Sequence, residues 1–328
     1  MNMIFGVSSI LPFPSQGGDK LRPYANLYMI ETFSLTKKFG SVVALDNLNL
    51  KVEKGEIFGL VGPDGAGKTT TMRLLAGILE PTSGSAKIAG FDLIKETEKL
   101  KEDIGYMPQR FGLYEDLTVM ENLNFFADIF NISKLEREKK IIRLLDFSGL
   151  KEFKNYLAGK LSGGMKQKLG LSCVLISSPK VLLLDEPTTG VDPSSRRDFW
   201  RILYQQLKEG VTIFISTPYM DEAERCRHIG LLDKGKLLAL ETPDKIKEMM
   251  KGSLMEIVCD YPRDAKEIID AKNLALSTVL FGERLHLVLT EESDFKKIQD
   301  ILSSSDIKIL NYQKTSPSLE DVFFSLLK

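Results

Sequence analysis

Apolar residues along this chain form short continuous runs that are separated by amphipathic stretches. The runs Phe58–Val61, Val181–Leu184 and Thr212–Ser216 are mostly apolar, as expected of strands that are buried on both faces of a sheet. Residues 72–79 place apolar side chains at helical spacing, and Pro81 predicts the end of that helix. The alternation of such strands and helices predicts an α/β layer fold.

The alternation extends over about residues 29–250, which we take as one domain. It includes a predicted hairpin, in which Lys234-Gly235 joins Ile229–Asp233 to Lys236–Ala239. Within about residues 111–175 the strand pattern gives way to helical periodicity, which predicts an inserted helical subdomain.

Residues 253–328 carry an alternation of their own, which predicts a small C-terminal α+β accessory domain. The expected strands are Leu254–Cys259, Leu285–Thr290 and Ile307–Tyr312, and the expected helices are Arg263–Ala271, Ser293–Leu302 and Ser318–Leu327.

Composition and charge narrow the function without identifying it. A length of 328 residues suggests about two domains, and a net charge of −1 gives no electrostatic reason to expect nucleic acid. Cys173, Cys226 and Cys259 have no metal-binding or redox spacing, so we expect small core residues in a reducing compartment.

No apolar run approaches the roughly 18 residues that a membrane-spanning helix needs, so a membrane function would require a partner chain. Residues 1–28 are rich in Ser, Pro and Gly, and their apolar start has no basic flank. They predict either a disordered leader or an upstream start site, with Met29 as the working start.

The pattern G-x-x-x-x-G-K-[ST] directly follows the first apolar strand. The amides of such a loop and of the following helix N-terminus bind phosphate. Lys68 would add a charge for the outer phosphates and is predicted to be catalytic, and Thr69 would ligate Mg²⁺. The residues predicted to hold a nucleotide here are Gly62, Pro63, Asp64, Gly65, Ala66, Gly67, Lys68, Thr69 and Thr70.

Two acids end the second apolar strand, at the edge of a parallel sheet where ligands bind. Asp185 is predicted to lie on the metal side of the site, and Glu186 to act as the general base that activates water. Together with the phosphate loop they predict phosphoryl-transfer chemistry.

A third motif, LSGGMKQ, places two glycines at the start of a helix. Ser162 is a good N-cap, and Gly163 and Gly164 leave backbone amides open to an anion. A capped helix without any ligand explains this motif equally well.

These three motifs, in this order and spacing, resemble the nucleotide-binding subunit of an ABC transporter over about residues 31–250. The resemblance implies a P-loop ATPase core that binds ATP and Mg²⁺. It also implies a head-to-tail dimer, in which the Ser162–Gly164 face of one subunit closes on the γ-phosphate that the other subunit holds.

The resemblance assigns three further residues. Gln109 matches the glutamine loop that contacts Mg²⁺ and assists catalysis, although a surface loop residue is an alternative. Phe39 matches the aromatic residue that stacks on adenine, although it could be a packing residue at a strand end. Asp192 matches a loop that senses the opposite site, and it also suits an N-cap before Pro193.

One position departs from the family pattern. The family has a histidine after the strand that ends at Thr217, and this chain has Pro218, which offers neither a side-chain donor nor an N–H. Thr217 or Tyr219 could replace it, and otherwise we expect ATP binding with slow or asymmetric hydrolysis. The two histidines, His228 and His286, look structural.

The residues within these motifs resemble those of ABC-2-type drug exporters, above all those of the first ATPase half of bacterial fused double-ATPase efflux proteins. This implies ABC-2-type permease chains, a second ATPase cassette, and a peripheral place on the cytoplasmic face of the inner membrane. The alternatives are a nonhydrolysing ATP-binding regulator and a non-transport ABC protein of ribosomes or DNA. The last is disfavoured by the single cassette and by the absence of a long coiled coil.

Overall fold

The structure is a computed structural model that describes residues 27–327. The predicted leader, residues 1–28, lies almost wholly outside the described residues, although the first strand already begins at Tyr28. The strands are β1 Tyr28–Phe39, β2 Val42–Glu53, β3 Ile57–Val61, β4 Ser83–Ile88, β5 Phe91–Asp92, β6 Ile104–Met107, β7 Val181–Asp185, β8 Thr212–Thr217, β9 His228–Asp233, β10 Lys236–Glu241, β11 Ser253–Cys259, β12 Ser277–Phe281, β13 Arg284–Leu289 and β14 Ile309–Lys314. The helices are α1 Lys68–Leu75, α2 Thr97–Asp103, α3 Val119–Ile129, α4 Lys134–Ser148, α5 Gly163–Leu175, α6 Pro193–Lys208, α7 Met220–Ala223, α8 Pro243–Glu248, α9 Pro262–Ala271, α10 Asp294–Ser304 and α11 Leu319–Leu326.

The central sheet has the order β10-β9-β3-β8-β7-β6 and is parallel except for β10. Every residue of β3, β7 and β8 is buried, which confirms the three predicted core strands, and β9 and β10 form the predicted hairpin. Val61 pairs with Thr217, and Asp185 pairs with Ser216. The carboxyl ends of three neighbouring strands therefore meet at one edge, where ligands of such sheets bind.

A second, antiparallel sheet with the order β2-β1-β4-β5 was not predicted. Helix α1 packs between the two sheets, and its Met72, Leu74 and Leu75 share one core cluster with β1, β2 and β3. The helix ends at Leu75, so the predicted end at Pro81 is wrong. The left-handed Gly77 (φ +64°) turns the chain, and Ile78 N–H donates to the Arg73 carbonyl, so the helix is terminated before the proline.

Helices α3, α4 and α5 lie within residues 111–175, where the sequence predicts a helical subdomain, and a hydroxyl side chain caps each of them. Thr118 and Glu121 make a capping box on α3, Ser133 caps α4 and Ser162 caps α5. The caps explain why these helices begin where they do.

The third sheet, β12-β13-β11-β14, is antiparallel and has its own apolar cluster with α9 and α10. Strand β12 was not predicted. The last helix, α11, departs from the rest of this region because Leu319, Val322 and Phe323 belong to the main core cluster of the first region. All three cysteines are buried, as expected. Within residues 27–327 no helix combines the length and apolarity that crossing a bilayer requires.

Candidate nucleotide site

The phosphate loop connects β3 to α1 and is shaped by glycines. A Cβ on Gly62 would lie 2.1 Å from the Leu232 carbonyl oxygen, and Gly67 has φ +108° with the Ala44 carbonyl 2.5 Å from its would-be Cβ. Gly67 is the N-cap of α1 and offers no side-chain oxygen, so no side-chain cap competes for the first-turn amides. Those amides are available to an anion, as the motif predicts.

Lys68 is almost fully buried inside this loop, with 3% of its surface exposed. Its ammonium donates to the carbonyls of Gly62 (2.8 Å) and Pro63 (2.9 Å) and lies 3.0 Å from Glu186 Oε1. A buried charge requires such partners. A phosphate entering the loop would meet the same ammonium that Glu186 now contacts.

Glu186 is the first residue after β7 and has φ +47°, a conformation that costs energy for a residue with a Cβ. Its backbone N–H bonds to Ser216 Oγ at 3.0 Å, and Gln109 Nε2 donates to its Oε2 at 3.0 Å. The structure thus brings together Lys68, Gln109 and Glu186, the three residues predicted to be catalytic. With this backbone conformation, the Glu186 carboxylate faces the loop.

Asp185 lies beneath these groups with 1% of its surface exposed. Its Oδ1 accepts from Thr69 Oγ1 (3.2 Å) and Ser216 Oγ (2.8 Å), whereas its buried Oδ2 has no partner among the described residues. Burial raises the pKa of Asp185 above its ordinary value, and the charge of Glu186 acts in the same direction.

An orphaned buried carboxylate oxygen beside a threonine hydroxyl fits a hard divalent cation. No cluster of three or more His, Cys, Asp or Glu side chains that could hold a metal occurs within residues 27–327. A Mg²⁺ ion here would therefore take most of its ligands from phosphate and water, which is usual for this ion.

These groups open into a cavity of about 580 Å³. Its lining residues are Val42, Val43, Ala44, Asp64, Gly65, Gly67, Lys68, Thr69, Thr70, Gln109, Glu186 and Lys234. Eight of the predicted residues from the phosphate loop, the glutamine loop and the strand end contribute to this wall, so one cavity brings the three predicted segments together.

Comparison with known proteins decides the family. Residues 45–189 match the family model described as ABC transporter. The Nod factor export ATP-binding protein I of Cupriavidus metallidurans is 33% identical over 91% of this chain and 97% of its own length. The chain belongs to the ABC transporter ATP-binding family. The predicted family and its ATPase class are therefore confirmed.

Other members of the family support the same assignment. The probable multidrug ABC transporter ATP-binding protein YbhF of Escherichia coli is 46% identical over 87% of this chain, which spans only about half (49%) of YbhF. A solved ATP-binding cassette, described as a dimer in a post-hydrolysis state bound to ADP and Pi, matches 65% of this chain and 98% of its own with 28% identity and a TM-score of 0.59. These matches confirm the predicted P-loop fold of an ABC ATPase.

Within the ABC cassette, Ser162, Gly163 and Gly164 do not line the cavity. Ser162 accepts from Met165 N–H at 3.3 Å, and a Cβ on Gly164 would lie 3.5 Å from Asp192 Oδ2. Asp192 caps α6, and its hydrogen bonds with Ser195 lower its pKa. The two predicted loops therefore adjoin each other on a second surface of the same cassette.

Phe39 ends β1 with 49% of its surface exposed and lies outside the cavity wall, which Val42 and Val43 of β2 form instead. The ammonium of Lys37 lies 5.1 Å from the Phe39 ring centroid. The stacking role of Phe39 stays a prediction.

Lys234 and residues 42–44 line the cavity but were not predicted. The hairpin turn that carries Lys234 was visible in the sequence. Its contact with the phosphate loop, a 2.8 Å hydrogen bond from Gly235 N–H to the Ala66 carbonyl, depends on sheet order and could not be inferred.

Pro218 lies between β8 and α7, and neither suggested replacement points into the cavity. Thr217 Oγ1 donates to Glu222 at 2.8 Å, and the ring of Tyr219 packs 4.3 Å from the Arg196 guanidinium. Neither residue is part of the cavity wall. His228 and His286 contact Glu56 and Asp321, at 2.7 and 2.8 Å, which suits structural roles.

Proposed function

We propose that this chain is the ATP-binding and hydrolysing subunit of an ABC-2-type membrane exporter of drugs or other hydrophobic molecules. The name of YbhF supports the drug class, and the chain covers nearly the full length of the Nod factor export protein. The observation that carries the proposal is the contact of Lys68 and Gln109 with Glu186 above Asp185.

In the proposed reaction the loop amides and Lys68 bind the β- and γ-phosphates of ATP. The phosphate displaces Glu186 from the Lys68 ammonium. The freed carboxylate accepts a proton from the water that attacks the γ-phosphorus, and the bond from this phosphorus to the β-phosphate oxygen breaks, which releases ADP and inorganic phosphate. Thr69, Gln109 and Asp185 would hold Mg²⁺, which neutralises charge on the phosphates when bound. Gln109, which now bonds to Glu186, would help to orient the water.

We further propose a head-to-tail pair of cassettes. Ser162, Gly163 and Gly164 lie outside this chain's own cavity, as the phosphate-sealing face for a partner's site requires. The adjoining Asp192 would connect that face to the neighbouring site. The dimeric ADP- and Pi-bound neighbour supports the pairing of cassettes. The partner is either a second copy or another cassette.

The permease is proposed to dock on the surface around residues 110–119, which joins the glutamine loop to the helical insertion. Tyr114 on this surface is 48% exposed. The chain would thereby be held at the cytoplasmic face of the inner membrane. Closure of the cassettes around ATP would then move the permease, because ATP favours the closed state.

Pro218 supports slow or asymmetric turnover. With Thr217 and Tyr219 engaged elsewhere, no side chain from this segment reaches the cavity. Loss of one transition-state contact reduces a rate by about 10²–10³-fold. The same observation favours a second candidate, a nonhydrolysing regulatory cassette.

The proposal is tested with Lys68→Ala and a matched control, Lys236→Ala, which removes an exposed lysine of β10. Lys68→Ala should abolish ATP binding and ATP-triggered pairing, and the control should leave both unchanged. If the two variants bound ATP and paired equally well, the proposed nucleotide site would be refuted. Single-turnover hydrolysis with labelled ATP, with and without Pro218→His, separates a slow ATPase from a regulator that forms no product.

A further inference from the structure

Glu222, on α7, is fully buried and bridges the segment that follows β7 to the end of the neighbouring strand β8. Its Oε1 accepts from Thr188 Oγ1 at 2.6 Å, in the segment after β7. Its Oε2 accepts from Thr217 Oγ1 at 2.8 Å, at the end of β8. Both threonines are themselves buried, so the carboxylate fixes the two segments to each other away from water.

The charge of Glu222 is compensated by a third element. Arg196 Nε, in the first turns of α6, lies 3.4 Å from Glu222 Oε1. The same guanidinium contacts Asp221 Oδ2 at 3.3 Å and packs 4.3 Å from the Tyr219 ring. Removing the carboxylate would leave a half-buried cation and two buried hydroxyls without their acceptor, which is costly.

Thr188 connects this carboxylate to the catalytic region. It lies two positions after Glu186, and Thr189 N–H donates to the Glu186 carbonyl at 3.2 Å. Glu186 has a left-handed backbone that persists only where its surroundings impose it. Val191 N–H donates to the Thr188 carbonyl, so the same anchor extends toward Asp192.

We propose that Glu222 is a positioning residue for Glu186: it holds the 186–192 segment in the geometry that directs the general base at the phosphate site. It touches no residue that would contact the nucleotide and acts through Thr188. The inference rests on the hydrolysis proposed above. Glu186 N–H also bonds to Ser216 Oγ of β8, but that bond holds only the start of the segment. Pro218 offers no side-chain donor, and the Glu222 carboxylate holds the segment further along, at Thr188.

The kinetic test compares variants of the full chain. Glu222→Ala should reduce kcat about 10- to 100-fold by displacing the base, with the KM for ATP within about twofold. Glu222→Gln should recover most of the rate, since an amide can accept from one threonine and donate to the other. Thr188→Val should reproduce part of the loss in kcat. The double variant Thr188→Val/Glu222→Ala should be no slower than Glu222→Ala, because the two substitutions remove the same hydrogen bond.

Glu56 provides a matched control. It is equally buried and carries comparable contacts, from Glu53 N–H at 2.6 Å and His228 at 2.7 Å, but it precedes β3 at the opposite end of the sheet. Glu56→Ala should lower the melting temperature without lowering kcat. Equal losses of kcat in Glu56→Ala and Glu222→Ala would reduce Glu222 to a stability role and overturn the proposal.

Amide hydrogen exchange gives a readout that does not need turnover. Glu222→Ala should accelerate exchange within residues 186–192, and Glu56→Ala should not. Unchanged exchange there overturns the positioning role even if hydrolysis falls. A wild-type chain that hydrolyses no ATP refutes the proposed reaction instead, and exchange still decides whether Glu222 orders the segment.

Discussion

At the scale of single residues, the proposed reaction depends on the ion pair between Lys68 and Glu186. The ammonium lies 3.0 Å from the carboxylate inside a loop where both are nearly inaccessible to water. In the proposed reaction, phosphate and Glu186 would compete for one cation, so the energy of this pair would be subtracted from the binding energy of ATP. The same exchange would release the base only when substrate is present.

Glu186→Gln should therefore change two measurements in opposite directions. Hydrolysis should fall by about 10²–10⁴-fold because the general base is lost. ATP affinity should rise because an amide competes for Lys68 less well than a carboxylate does. Steady-state kinetics and equilibrium binding measure the two effects, with the exposed Glu248→Gln as control. Weaker ATP binding in Glu186→Gln would contradict the competition.

Asp185 gives a pH-dependent prediction. Burial, then the Glu186 charge, raises the pKa of Asp185, so the folded chain binds this proton more tightly than the unfolded chain does. The free energy of unfolding should decrease as pH rises from the ordinary pKa through the raised one. Asp185→Asn should abolish this decrease and melt higher than wild type at pH 7 without Mg²⁺.

The stability gain of Asp185→Asn should diminish as the pH falls below the raised pKa of Asp185, because the wild-type carboxyl is then protonated as well. Mg²⁺-dependent hydrolysis should be lost in this variant. Thermal melts across pH 4–8 measure the first effect. A variant that melts lower than wild type at neutral pH would show that the buried charge is fully compensated within the chain.

At the scale of elements, the N-terminus of α5 has a structural role and a proposed functional role, and the two can be tested independently. Ser162 caps the helix by accepting from Met165 N–H, and the same N-terminus is proposed to meet a partner's phosphate. Ser162→Asp retains the cap, since Asp is as good an N-cap as Ser, but places a negative charge beside the phosphate. It should therefore keep the melting temperature and abolish ATP-dependent pairing.

Ser133→Asp is the matched control, because Ser133 caps α4 in the same manner. It should change neither stability nor pairing, as measured by light scattering with and without ATP. Pairing that survives Ser162→Asp would place the partner's phosphates away from this helix.

Strands that are buried on both faces could be predicted from the sequence. Features that depend on how one strand pairs with another could not. The cores of β3, β7 and β8 are apolar enough to be read without a partner, and the glycine loop fixes its own conformation. The long β1 and β2 carry register shifts and mixed burial, so their sequence has no clean period of two. The contribution of Lys234 to the cavity depends on sheet order, which no local pattern encodes.

At the scale of the whole molecule, α11 joins the end of the chain to the ATPase core. Val322 and Phe323 are buried in the same cluster that contains Trp200 of α6. Asp321, on the same helix, lies 2.8 Å from His286 of the third sheet. The helix therefore contacts both parts, although the sequence pattern groups it with residues 253–328.

Phe323→Ala should consequently destabilise the ATPase core by about 3–5 kcal/mol, as expected for emptying a buried aromatic site. Trp200 is the single tryptophan of the chain and is 1% exposed, so its fluorescence reports unfolding of that core. Leu302→Ala, in the separate cluster of the third sheet, is the control and should shift the Trp200 transition less. If denaturation left the Trp200 midpoint of Phe323→Ala at the wild-type value, α11 would be an appendage that the core does not need. A lowered midpoint would instead mean that the last helix completes the core, so that truncation before it costs ATPase stability even with every nucleotide-contacting residue intact.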